Sequence, residues 1–173
     1  VFLAGYPWED GLDLLRKFQG WSLSEGRWPL PGKREALIGQ QIAKVTFKEE
    51  VTINSEAVIR GRKFEIVGIL NSLGNKIDDS FVYLDMEIYQ DLTGEKRGSA
   101  SMAMAKIQDG SSLNQVAENI KENLEKTRKR RAGTDEADFS VITSEKVGDI
   151  AADILAVIQI AIMAKAIIFR RIF

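Results

Sequence analysis

The sequence predicts an α+β fold whose chain ends in a long apolar helix. Three observations predict it. β-Branched runs at residues 51–53, 57–59 and 63–70 are separated by Asn54-Ser55 and by Gly61, the pattern of short strands joined by turns. A strand, helix, strand succession fills residues 102–143, which makes a βαβ or split-βαβ unit. Residues 150–169 are apolar nearly all round.

Residues 1–6 form an apolar run closed by Pro7 and read as the end of a strand. Over residues 9–18, Leu12, Leu14, Leu15 and Phe18 fall at helical spacing, which predicts a short helix. Residues 19–32 hold three glycines, two prolines and two tryptophans, and read as a loop with bulky anchors. A short strand follows at 35–38, after which Gly39 opens an amphipathic turn or two with Ile42, Ala43 and Phe47 on one side. The alternation in 64–70 is imperfect, which suits a strand buried along much of both faces.

Residues 71–80 read as a polar loop, 81–84 as a strand, and 85–92 as a helix with Asp85 as its N-cap. After a loop at 94–99, residues 102–107 predict a strand, and Asp109, Gly110, Ser111 and Ser112 a turn and a cap. Leu113, Val116, Ala117, Ile120 and Leu124 recur at three and four positions, an amphipathic helix. A polar linker at 132–138 leads to a final strand at 138–143, and Thr143 or Ser144 caps the last helix.

The 173 residues suffice for one ordinary domain or two small lobes sharing a core. Apolar residues make up 45% and charged residues 28%, the balance of a folded chain. A formal net charge of −1 argues against a chain that coats nucleic acid. With no cysteine and no histidine, disulfides, thiolate zinc sites and Ser-His-Asp or Cys-His catalysis are excluded. Carboxylate, lysine and tyrosine chemistry remains. The chain opens with Val1 and shows no basic segment ahead of an apolar run, so the expectation is a piece of a longer protein without a signal peptide.

Within 150–169 only Asp153, Gln159 and Lys165 are strongly polar. A helix of that length spans roughly 30 Å, the thickness of a bilayer's hydrocarbon core. At about 100° per residue the three polar positions lie roughly 120° apart, so they form no polar stripe. Two readings follow. In one the segment enters a membrane, with Arg170-Arg171 at the cytoplasmic end. In the other it is buried between lobes or subunits, since Asp153 and Lys165 each cost ~3 kcal/mol at a membrane centre.

Three constellations carry potential chemistry, each beside a plainer reading. Asp78 and Asp79, with Asp85 near, suit a magnesium or calcium cluster, but adjacent aspartates also end polar turns. Lys126, Arg128, Lys129, Arg130 and Arg131 suit phosphates, nucleic acid or an anionic membrane surface. They equally complement a helix C-terminus, and Asp135, Glu136 and Asp138 follow at once. Tyr6, Trp8, Trp21 and Trp28 suit either an aromatic contact surface or a lobe's core. Gly26, Gly32 and Gly39 form no phosphate-binding signature.

The order of the pieces carries more than any one of them. Gly26-Arg27 is followed by Glu35-Ala36-Leu37-Ile38-Gly39-Gln40-Gln41-Ile42-Ala43, then by Lys63-Phe64-Glu65-Ile66-Val67-Gly68-Ile69-Leu70 and Asp78-Asp79-Ser80-Phe81-Val82-Tyr83-Leu84. The set closes with Asp138-Phe139-Ser140-Val141-Ile142-Thr143 and Ile154-Leu155-Ala156-Val157-Ile158-Gln159. From about residue 20 to residue 159 the chain resembles the extracytoplasmic domain of MacB/FtsX-type ABC transporter permeases.

The resemblance implies a two-lobed α+β fold: a porter-like βαβ lobe with a smaller mixed α/β lobe inserted into it. Residues 1–8 and 99–148 would form the porter-like lobe with its first half incomplete, 9–98 the inserted lobe, and 149–173 a stalk or the start of a transmembrane segment. Ile154, Leu155, Ile158, Ile162 and Ile168 would line that stalk helix. The resemblance further implies a domain without catalytic residues, cofactor, metal or nucleic acid. ATP would be hydrolysed by a cognate ABC ATPase, and the partners would be a second copy, the membrane, and an extracytoplasmic protein or exported substrate. The chain departs from the family at both ends, where the leading strand and helix are missing and Lys165 and Arg170-Arg171 enter the last helix.

Overall fold

A computed structural model describes residues 1–127, 139–149 and 152–159. The chain divides into two compact units, Val1–Ser101 and Met102–Phe173. The first holds a six-stranded mixed sheet built from β1 (Phe2–Tyr6), β2 (Leu23–Gly26), β3 (Glu35–Ile38), β4 (Glu56–Ile59), β5 (Arg62–Leu70) and β6 (Phe81–Asp85). The strand order is β1-β6-β3-β5-β2, with β4 also on β5. β1 runs parallel to β6 and β3 parallel to β5; the remaining pairs are antiparallel. Helices α1 (Trp8–Phe18) and α2 (Met86–Thr93) complete this unit.

Period-two alternation sends successive side chains to opposite faces of the sheet. Val82 and Leu84 of β6, Ala36 and Ile38 of β3, and Leu3 of β1 join one apolar cluster, with Ile42, Ala43, Phe64, Ile66 and the α2 residues Ile88 and Leu92. Tyr83, Leu37, Ala4 and Tyr6 point the other way, into a cluster with Trp8, Leu12 and Leu15 of α1 and with Trp21. Both faces are therefore covered, which is why β3 and the second half of β5 are buried at every position.

The caps follow local chemistry. Asp85 ends β6 and begins α2, its carboxylate accepting the main-chain N–H of Glu87 at 3.1 Å and of Ile88 at 3.4 Å. Gly94 closes α2 in the left-handed conformation. Beyond it, the side-chain amide of the fully buried Gln90 donates to the Ser99 carbonyl at 2.8 Å and fastens the outgoing loop. In the second unit, α3 (Leu113–Thr127) has the expected apolar stripe, yet none of its residues is buried. Residues 144–149 and 152–159 are helical, and the Thr143 hydroxyl caps the former by accepting from Lys146 N at 3.2 Å.

Several sequence expectations are corrected. Residues 23–26, read as loop, pair with β5 through a register shift that lets a glycine-containing edge segment join the ladder. Residues 51–53 form no strand: Ile53 enters a turn with Asn54, whose φ is +63°. The turn after Gly39 is π-helical over Ile42–Thr46, and this wider turn leaves Ile42 and Ala43 buried but carries Phe47 outward. Among the described residues, 102–107 and 139–143 carry no strand. The βαβ unit expected over 102–143 is therefore absent from the described residues.

β1 pairs along its length with β6 in the sheet of the first unit. The linker at 132–138, Asp138 and residues 160–169 lie outside the described residues. Among the described residues no helix is long and apolar enough to cross a membrane, so the long apolar terminal helix is not part of the described fold.

Gly39 follows β3 where the chain passes against the Asp79 main chain, and a Cβ there would overlap the Asp79 carbonyl. Gly39→Ala is expected to lower stability by about 1–3 kcal/mol. Gly148→Ala, in open space on the helical stretch 144–149, should not lower the urea midpoint. Urea unfolding at neutral pH, followed by tryptophan fluorescence, checks both.

Candidate functional site

The aspartates proposed for a metal are all engaged in shaping turns. Asp79 accepts the Ser72 hydroxyl at 2.6 Å and the Leu73 N–H at 2.7 Å. Asp78 is bound by the Asn75 side chain, its N–H donating to Asn75 Oδ1 at 2.9 Å and its carboxylate accepting from the Asn75 side-chain amide nitrogen. Asp85 caps α2 and also accepts the Gly32 N–H at 3.1 Å. Among the described residues no group of three or more carboxylates could hold an ion. The metal reading is not favoured.

The aromatic residues resolve as core. Trp8 and Trp21 are buried, and Tyr6, Trp21 and Tyr83 pack with ring centroids 4.7 to 5.6 Å apart. The Tyr83 hydroxyl donates to the Asp78 carbonyl at 3.0 Å, and burial pushes its pKa well above the usual phenol range. Of the basic run, Lys126 faces Glu122 at 3.6 Å one helical turn away, and residues 128–131 lie outside the described residues.

An ion pair missed by sequence reasoning holds the loop between β2 and β3. Arg27 donates both terminal nitrogens to Glu35, at 2.7 and 2.8 Å, and the same carboxylate accepts the Leu30 N–H at 2.8 Å. Glu35 is buried, and its pKa is lowered mainly by the Arg27 hydrogen bonds. Together with the Asp85 bond to Gly32, this fixes residues 27–34 at both ends. The signal in the sequence was the pairing of Gly26-Arg27 with Glu35, a cation and an anion at the ends of one loop.

Among the described residues a feature open to a ligand lies on the face of the sheet that α2 covers. A groove of about 590 Å³ is lined by Val1, Leu3, Ile38, Ile42, Phe47, Val51, Glu56, Ala57, Val58, Ile59, Arg60, Ile66 and Val82. Its floor is buried core, whereas Phe47 and Val58 on the rim are exposed. The β4–β5 hairpin forms one wall and turns through Arg60 and Gly61, with φ of +47° and +79°. Two positive φ angles in a two-residue turn are the type I′ pattern, which favours Asn-Gly. An arginine there costs about 1 kcal/mol in backbone strain. No sequence motif marks this groove, since its residues come from five separate segments.

Residues 9–123 match the family described as MacB-like periplasmic core domain, and the chain belongs to that family. It is 30% identical over 153 residues to an uncharacterised ABC transporter permease of Methanocaldococcus jannaschii. That alignment covers 88% of this chain and 37% of the permease. The chain thus spans little more than a third of the length of this relative.

Because Glu35 titrates below its unfolded value of about 4.5, its contribution is complete above that pH and is lost as pH falls through the folded value. Glu35→Gln should cost roughly 1–3 kcal/mol at pH 7. The gap to wild type should close progressively below about pH 4.5, which urea titrations across that range would measure.

Proposed function

We propose that this chain is the extracytoplasmic domain of an ABC transporter permease, a non-enzymatic part that couples movement of the membrane helices to an exported substrate or an extracytoplasmic partner. The observation that carries this reading is the alignment to a permease over most of this chain but only 37% of that protein. A domain so placed needs no catalytic group of its own. The carboxylates Asp78, Asp79 and Asp85 serve turns and a helix cap, in keeping with that role.

In this reading residues 9–98 are the inserted lobe, 99–148 contribute to a porter-like lobe, and 149–173 form the stalk leading to the membrane. Ile154, Leu155 and Ile158 lie on the helical stretch 152–159 and are 48 to 58% exposed, an apolar surface in want of cover. Ile162 and Ile168, assigned to the same stalk, lie outside the described residues. A second permease copy and the bilayer would supply the cover, and a cognate ATPase would supply the energy.

The lack of cysteine allows a direct test of sidedness. Ser112 is exposed just ahead of α3. In the full-length parent protein, Ser112→Cys is expected to react with a membrane-impermeant maleimide on intact cells. Labelling only after lysis would place the domain in the cytoplasm and end the permease reading.

A further inference from the structure

The groove on the first unit combines an aliphatic trough with one arginine, Arg60, that no ion pair among the described residues holds and whose charge bears on the Tyr89 hydroxyl. Of the two charged residues that line it, Glu56 is paired with Lys63 at 2.7 Å. Arg60 makes no ion pair among the described residues, and the tight hairpin turn sets it at the mouth. Every other lining side chain is a hydrocarbon without donor or acceptor. The volume of about 590 Å³ falls within the range of small-molecule sites.

Those properties discriminate between occupants. A peptide laid over the floor would bury amide groups against side chains unable to pair them, and could find main-chain partners only at a sheet edge such as the outer edge of β4, which no described strand occupies. An alkyl chain has no such groups and gains with each methylene removed from water. A carboxylate at its end would meet the Arg60 guanidinium, whose planar fork matches it with two parallel hydrogen bonds.

We propose that the groove binds a fatty carboxylate, with the tail over Ile38, Ile42, Ile66 and Val82 and the head group on Arg60. The inference concerns residues 1–101 alone and holds whether or not the domain serves a transporter.

Calorimetry of the whole chain with dodecanoate, below its micelle concentration at pH 8, tests it. One saturable site is expected, with decanoate about tenfold weaker for the two methylenes lost. Arg60→Asn keeps a residue suited to the turn and removes the charge. It should weaken dodecanoate about tenfold and leave dodecanol unchanged. Val58→Asp, at an exposed rim position, should weaken dodecanoate further while preserving the unfolding midpoint. Absent or non-saturable binding would overturn the proposal. So would equal affinity in both variants, which would put the amphiphile on another apolar surface, and so would displacement of dodecanoate by a neutral apolar peptide.

Discussion

Strand β5 is the constraint on which the first unit depends. Nine residues supply hydrogen bonds to three other strands: β3 along one edge, and β4 and β2 in turn along the other. The second half of β5 is also covered on both faces, so Ile66, Val67, Ile69 and Leu70 are all buried, while Arg62, Lys63 and Glu65 near its start stay exposed. Its Gly68 sits opposite both Leu37 and Gly26, and a side chain on either glycine would strike main chain: the Arg27 carbonyl from Gly68, the Val67 carbonyl from Gly26. That close approach carries Arg27 across β5 to Glu35 on the far strand. The Gly26-Arg27 pair, the Glu35–Ile38 run and the 63–70 run, separate in sequence, are one cross-section of the sheet.

Legibility in the sequence followed how local each cause was. β1, α1, β3, β5, β6 and α2 announce themselves through periodicity, and Asp85 through the cap its position permits. β2 did not, because two tryptophans, two prolines and three glycines around it carry the composition of a loop. Its strand character comes only from the ladder that β5 offers. The reverse error arose at 51–53, 102–107 and 139–143, where β-branched or apolar residues favour extended backbone but no described strand completes the pairing. Propensity describes what a segment tolerates, and a partner decides.

The groove lies at the far end of that scale. Its floor is ordinary core, built from the same side chains that fix the sheet. Its character depends on three departures from regularity: a π-helical turn that turns Phe47 outward, a left-handed turn that holds Arg60, and an ion pair that removes Glu56 from play. None has a signature in residue order alone. By contrast the aspartates, which draw the eye in the sequence, are each absorbed by a neighbouring N–H or hydroxyl.

The two units differ in how completely they satisfy themselves. The first buries apolar side chains on both faces of its sheet. The second presents α3, with no buried residue, and the exposed Met102, Ile142, Val147, Ile154 and Leu155 among its described residues. A fifteen-residue amphipathic helix is marginal in water without a surface to pack on. Its stripe residues Leu113, Val116, Ala117 and Leu124 are half-buried and only Ile120 is exposed. Under the proposed reading a lobe packed on both faces would keep its shape through a cycle, while a unit whose packing depended on neighbouring elements would change state when they moved, because only differential contacts can shift an equilibrium between two arrangements.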